Sequence, residues 1–212
     1  MEFALVILNA VGAFLSQNLD LIIEILGVIV GLFYLYYEYK ASSLLWIAGI
    51  IMPAISLSVY YRAGLYADFG INVYYLIAAV YGWIYWKYKG SKKRDKELPI
   101  TRMPVKAWII GALAFAVAEG VIYYILVTFT DSTVPGWDTF TTALSIVGMW
   151  LLAKKYVEQW LSWILVDIVS SGLYIYKEIY FYSALYALYA VIAVFGYYKW
   201  LKLMKNEQNK SL

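Results

Sequence analysis

Long apolar runs separated by short polar segments make up most of this chain. Seven runs are long enough to cross a hydrocarbon core about 30 Å thick. A helix satisfies its own backbone groups in lipid, so each run predicts a membrane helix. The earlier stretch Phe3–Leu15 is shorter and lacks a basic start and a cleavage site, which indicates a retained short or interfacial helix within an N-terminal segment, 1–21. The seven runs cover 22–38, 44–61, 69–86, 106–128, 138–153, 159–176 and 182–200.

The sequence repeats itself at a spacing of 114 residues, without a gap, across three consecutive runs. This predicts two three-helix repeats, 22–86 and 138–200, joined by a connecting helix, 106–128. Because three is odd, the connecting helix returns the second triplet to the orientation of the first. We therefore expect an all-α 3+1+3 membrane protein with parallel repeats, a plan that places substrate near the midplane. The matched pairs include Lys40 and Lys154, Trp46 and Trp160, Tyr75 and Tyr189, Gly82 and Gly196, and Trp86 and Trp200.

Composition agrees with a membrane protein and removes several function classes. The chain is 64% hydrophobic and 15% charged, whereas soluble domains are about 25% charged. It has no Cys and no His, which excludes disulfides, thiol nucleophiles and most zinc, haem and iron–sulfur ligation. It also lacks the G-x-x-x-x-G-K-[ST] motif of ATP hydrolysis. We therefore expect no cofactor, no bound metal and no enzymatic activity.

The basic residues predict an orientation. If the N-terminus lies outside, fifteen of the seventeen Lys and Arg residues fall on the cytoplasmic side, and only Arg62 and Lys177 remain outside. Such a bias indicates an N-out, C-in protein of a bacterial inner membrane. Eight of the fifteen lie within Lys87–Lys106, so we expect 87–105 to be a cytoplasmic linker and 201–212 a cytoplasmic tail. A solvated topogenic loop explains this charge, and we expect no nucleic-acid partner.

The sixth run carries the strongest candidate for a binding site. Trp160, Trp163 and Asp167 are spaced i, i+3, i+7, so two indoles and a carboxylate share one helix face. An unpaired acid at membrane depth costs about 2.5–3.5 kcal/mol, which makes it a functional hypothesis by default. The alternatives are an interfacial anchor for Trp160 and a packing role for a protonated or hydrogen-bonded Asp167.

Further candidates come from aligning the two repeats. Asp167 falls opposite Pro53, and Asn72 falls opposite Tyr186, so the polar lining differs between the halves and suits an asymmetric solute. No Lys or Arg lies inside a predicted span, so the solute is neutral or cationic, and Trp rings favour a cation. Glu119, the other acid noted within a span, lies on the connecting helix and is expected to pack or snorkel. The remaining candidates to line the site are Trp46, Asn72, Tyr75, Tyr186 and Tyr189.

From about Ile22 to Trp200 the chain resembles the Pnu-type vitamin transporters. The resemblance rests on Tyr81-Gly82-Trp83 with Trp86, on Trp137-Asp138, on Leu144–Val147 and on Lys155–Trp160 with Trp163. It implies a fold similar to the SWEET sugar transporters and a trimer. It also implies facilitated diffusion of an unphosphorylated vitamin that is trapped by phosphorylation in the cytoplasm, with the W-x-x-W motif lining the site.

The resemblance leaves the solute open between two cationic vitamins. At the position of Asp167 the riboside branch of the family carries Asn, whereas the thiamine branch is similar to this chain. The acid therefore favours thiamine over nicotinamide riboside. Two other classes compete with this interpretation. One is the membrane-embedded binding subunit of an energy-coupling ABC importer, although such subunits have six spans and Ala-rich docking faces. The other is a sugar carrier of the SWEET type, for which Asp167 would have no purpose.

Overall fold

The computed structural model describes residues 19–62, 66–88 and 98–209, and these residues form seven α-helices. The N-terminal stretch Phe3–Leu15 and the middle of the basic linker lie outside the described residues. The helices follow the predicted spans closely, except that the last one continues nine residues past 200 into the predicted tail. The helices are α1 Leu19–Tyr39, α2 Leu45–Arg62, α3 Tyr66–Tyr88, α4 Val105–Phe129, α5 Pro135–Ala153, α6 Gln159–Tyr176 and α7 Tyr180–Asn209.

Three of these helices are long and apolar enough to span a bilayer by length and composition alone. They are α2, α4 and α7. For the other four helices, membrane crossing stays a prediction.

The helices pack as two groups of three and one outlying helix. In the first group α2 contacts both α1 and α3, and in the second α6 contacts both α5 and α7. The groups meet where α3 packs on α5 and where α1 packs on α7. Helix α4 packs on α5 and leaves most of its apolar surface exposed.

The turns after α1 and α5 have the same backbone conformation. Ala41 and Lys155 both adopt positive φ, 53° and 59°. In each turn the amide of that residue bonds to a carbonyl three residues earlier, Glu38 at 2.9 Å and Leu152 at 2.8 Å. The next amide bonds five residues back, as in a Schellman motif. Both turns therefore redirect the chain identically into α2 and α6.

Four buried tryptophans join the two groups. Trp86 Nε1 donates to the carbonyls of Leu152 at 3.2 Å and Ala153 at 3.1 Å, at the end of α5. Trp200 Nε1 donates to the carbonyl of Glu38 at 2.9 Å, near the end of α1. The remaining pair, Trp46 and Trp160, packs edge-on against these indoles, with centroid distances of 5.4 Å to Trp86 and 5.8 Å to Trp200. Each group thus donates an indole hydrogen bond to the other.

The segment before α4 is fastened to the second group. Thr101 forms an isolated β-bridge with Tyr156, and the amide of Met103 donates to Glu158 Oε2 at 2.8 Å. Arg102 Nη1 lies 3.1 Å from Glu158 Oε1. Hydrogen bonds from Arg102 to Tyr197 and Glu158 raise the pKa of the guanidinium above its ordinary value. These contacts hold the start of α4 beside the α5–α6 turn.

Close contacts between indoles and glycines generate the first prediction. A Cβ on Gly82 would lie 2.3 Å from the Trp46 ring, and one on Gly196 would lie 2.6 Å from the Trp160 ring. We expect Gly82→Ala and Gly196→Ala to lower the free energy of unfolding by about 1–3 kcal/mol, because overpacking forces the rings to move. Thermal unfolding in detergent, followed by circular dichroism, measures the change.

Gly120→Ala is the matched control, since nothing lies within 4 Å of its added Cβ. Ala is the better helix former by about 0.8–1 kcal/mol, so this variant should be as stable as the parent or more stable. Equal destabilisation by all three substitutions would show that the loss does not come from contact between the added Cβ and an indole ring.

Candidate functional site

A cavity of about 400 Å³ lies between the two groups of helices. Its wall is mostly apolar and aromatic, as is usual for small-molecule sites. Its polar lining consists of two carboxyl groups, one serine hydroxyl and several tyrosine hydroxyls. The lining includes Tyr34, Glu38, Gly49, Met52, Tyr75, Ser145, Met149, Trp160, Trp163, Asp167, Tyr186 and Tyr189.

Helix α6 contributes the face that the sequence predicts. Trp160, Trp163 and Asp167 all line the cavity. Trp160 is only 1% exposed, because its ring also packs over Gly196. Trp163 is more open, and its Nε1 has no hydrogen-bond partner among the described residues. The Nε1 atom of Trp160 is likewise buried without a partner among the described residues. The two indoles therefore differ in exposure, and Trp160 serves both packing and lining.

The tyrosines of the prediction also reach the cavity. Tyr75 comes from α3, and Tyr186 and Tyr189 come from α7. The rings of Tyr186 and Tyr189 meet edge-on at 5.9 Å. Tyr174 stacks on Tyr186 at 5.2 Å. An aromatic wall thus continues from the Trp pair toward the far end of α6.

Two predicted site residues lie elsewhere. Trp46 is fully buried under Gly82 and beside Trp86 and does not line the cavity. Asn72 is partly buried on α3 and is not among the lining residues either. The repeat matches Trp46 to Trp160, but of these two rings only that of Trp160 also lines the cavity.

Glu38 is the most important lining residue that the sequence reasoning missed. It is 2% exposed, in the last turn of α1, so Asp167 is not the only acid in the cavity. Tyr34, one turn earlier, also lines the cavity. The available signal was an acid at the end of an apolar run, with a tyrosine four residues before it on the same face.

The cavity wall carries acidic side chains and no basic one among its described residues. Glu38 and Asp167 are both in the wall, and none of the described lining residues is Lys or Arg. The buried Lys155 lies nearby in the fold, but its Nζ sits 4.2 Å above the Trp86 ring. A solute with a positive charge would therefore be favoured, and a phosphate would meet two carboxyl groups without a cation.

A second, smaller cavity adjoins the first. It has a volume of about 190 Å³ and shares Tyr75, Ser145, Val166 and Tyr186 with the main cavity. Its far rim carries an ion pair between Lys177 Nζ and Asp138 Oδ1 at 3.3 Å. The two cavities line up along α6, from its first turns to its end, as a path through the molecule would.

The chain matches a protein-family model described as nicotinamide mononucleotide transporter over residues 21–202. It is similar to the nicotinamide riboside transporter PnuC of Escherichia coli, with 25% identity over 90% of this chain and 89% of that protein. It is also similar to the riboflavin/roseoflavin transporter RibM of Streptomyces davaonensis, with 26% identity over 71% of this chain and 70% of that protein.

The fold matches a crystal structure of the vitamin B3 transporter PnuC. The TM-score is 0.67 at 24% identity, over 95% of this chain and 90% of that chain. The relatives named here carry nicotinamide riboside or riboflavin in their descriptions, and none carries thiamine. The sequence-based preference for thiamine as the main solute is therefore not supported.

The different positions of the tryptophans predict different effects of the same substitution. Trp46→Phe should lower the free energy of unfolding by about 1–2 kcal/mol, because it leaves a gap in fully packed surroundings. Trp163→Phe should cost less, because one side of that ring faces the cavity. Thermal unfolding of the two purified variants compares them directly, and an equal loss would assign Trp163 to packing.

Proposed function

The chain belongs to the nicotinamide mononucleotide transporter family, and on that premise we propose that it carries unphosphorylated nicotinamide riboside across the membrane by facilitated diffusion. It is a membrane transporter and not an enzyme. Cytoplasmic phosphorylation by another protein would trap the solute and keep the inward gradient.

The acidic lining of the cavity carries the choice of an unphosphorylated cation, and the relatives named above favour the riboside over thiamine. Glu38 and Asp167 lie in an aromatic wall with no described basic residue. The pyridinium ring of nicotinamide riboside has a fixed positive charge, which both a carboxylate and an indole face stabilise. The mononucleotide named in the family description adds a phosphate, which would be buried beside these acids without a cation. The riboside is the better fit.

Thiamine is the second candidate, because its thiazolium ring also has a fixed charge and Asp167 would pair with it. No relative named above supports it, so it ranks below nicotinamide riboside. Riboflavin is neutral and gives Asp167 no partner. A panel of these three solutes separates the possibilities by affinity.

We also infer that α1–α3 and α5–α7 are parallel repeats joined by α4, with the N-terminus outside and the C-terminus inside. The matching turns at Ala41 and Lys155 and the reciprocal indole bonds support the repeats. The distribution of Lys and Arg supports the orientation. Assembly as a trimer, which the family resemblance implies, remains a proposal that the mass of the detergent-solubilised protein tests.

Transport in liposomes tests the solute and the energy source together. Purified protein alone should equilibrate labelled nicotinamide riboside across the bilayer in both directions, while labelled mononucleotide should remain excluded. Neither ATP nor an ion gradient should be required. Accumulation driven by a proton or sodium gradient would overturn facilitated diffusion, and equal passage of the mononucleotide would overturn the charge argument.

Asp167→Asn tests the role of the acid on α6. The substitution keeps the volume and removes a charge-assisted contact worth about 1.5–3 kcal/mol, so affinity for nicotinamide riboside should fall tenfold to a hundredfold. Folding should survive, because Asn is less costly to bury than Asp. Tryptophan fluorescence titration and thermal unfolding are measured on the same preparation.

Two outcomes would revise this role. Unchanged affinity in the Asn variant would make Asp167 a packing residue. A gain in riboside affinity, with a loss of thiamine affinity, would instead make Asp167 a selectivity position that favours thiamine in this chain.

A further inference from the structure

Two polar side chains near the end of α1 have unused hydrogen-bonding capacity. Glu38 Oε1 and both amide atoms of Gln159 are buried and have no hydrogen-bond partner among the described residues. Glu38 is 2% exposed, and Gln159 is fully buried. Leaving a buried polar atom unpaired costs about 1–3 kcal/mol, and more when it is charged. Such groups beside a cavity indicate a ligand that satisfies them.

The backbone of Glu38 is held firmly, while one of its carboxyl oxygens, Oε1, has no hydrogen-bond partner among the described residues. Its carbonyl accepts hydrogen bonds from Trp200 Nε1 and from the Ala41 amide, both at 2.9 Å. The carboxyl group lines the cavity. Gln159, in the first turn of α6, approaches this carboxyl group as a hydrogen-bonding neighbour, although the pair does not reach standard hydrogen-bond geometry. The fold thus presents the Glu38 carboxyl group to the cavity, with Gln159 beside it and outside the lining.

This place is separate from Asp167. Gln159 and Asp167 are eight residues apart on α6, which is about 12 Å along the helix axis at 1.5 Å per residue. Trp160 and Trp163 lie between them. The cavity therefore has one acidic end at Asp167 and another polar end at Glu38, with the indoles in the middle.

We propose that Glu38 forms a second binding position, the diol end of the cavity, which takes the vicinal hydroxyl groups of the solute's sugar. The two oxygens of a carboxyl group can accept hydrogen bonds from two neighbouring hydroxyl groups. A ribose diol supplies these donors, while Gln159, which is not among the lining residues, orients the Glu38 side chain. The cationic ring then lies toward Trp163 and Asp167. This inference rests on the proposed function, since it divides the riboside between the two ends.

A pair of solutes isolates the sugar. Nicotinamide riboside and 1-methylnicotinamide share the positive pyridinium ring, but only the riboside has a diol. Glu38→Gln should weaken riboside binding about tenfold, through loss of one carboxyl oxygen that accepts from the diol, and should change 1-methylnicotinamide binding less than twofold. Asp167→Asn should weaken both solutes. Affinities are measured by tryptophan fluorescence, with calorimetry as a second readout.

Glu119→Gln is the matched control. It makes the same chemical change at another acid with a buried, unpaired oxygen, on α4 and away from the cavity lining. It should leave both affinities at their parent values. Thermal unfolding of each variant shows that the protein remains folded.

Two outcomes with these solutes would overturn the proposal. Equal weakening of both by Glu38→Gln would show that Glu38 acts on the charge of the ring and not on the sugar. Unchanged binding of both would show that Glu38 contacts no solute.

Failure of the proposed function looks different. In that case the unsubstituted protein binds neither nicotinamide compound. Riboflavin and lumiflavin then form the test pair, because they share a ring and only riboflavin has a polyol chain. Glu38→Gln must then weaken riboflavin and spare lumiflavin. If the unsubstituted protein does not prefer the hydroxylated member of either pair, the proposal of a diol end is wrong.

Discussion

The reciprocal indole hydrogen bonds between the two helix groups are the interaction on which the rest of the structure depends. Trp86 donates to the end of α5, and Trp200 donates to the end of α1. The carbonyls of Glu38 and Leu152 each accept one amide from the turn that follows, and an indole from the other group uses the acceptor capacity that is left at the helix end. Each bond fixes the end of one helix against the last helix of the other group. The cavity lies in the space that this arrangement leaves between them.

The same contact connects stability to the site. Trp200 holds the backbone of Glu38, and Trp160 packs against Trp200 while its other surface lines the cavity. Residues that bind the groups together therefore also position lining residues. By contrast, Asp167, Glu38 and Trp163 bear polar groups that packing does not require. Proteins commonly retain such destabilising groups where function needs them.

The acidic lining of the cavity limits the possible solutes more than family membership does. Family membership establishes a transporter, and the relatives named above carry solutes that range from a cationic riboside to neutral riboflavin. A fold shared across these solutes cannot select among them, because function depends on the site. Selection must come from the few polar lining residues, and here these are two acids, one serine and several tyrosines, without a basic residue among the described lining.

The sequence by itself determined the helices and one face of α6. Apolar runs locate helices because lipid requires internal hydrogen bonding, and the i, i+3, i+7 spacing places Trp160, Trp163 and Asp167 together whatever surrounds them. The repeat also indicated which residues occupy matching positions. None of this depends on how the helices meet, and in the structure all three of these α6 residues line the cavity.

Only the tertiary structure decided which faces of the other helices reach the cavity. Helix periodicity says which residues share a face, but the rotation of that face depends on packing against neighbours. Trp46 matches Trp160 in the repeat, yet it is enclosed by Gly82 and Trp86. Glu38 lies at the end of a helix, where sequence suggests an interfacial position, and the contact of α1 with α7 buries it. A sequence lists its polar residues, whereas the angles between helices decide which of them meet a solute.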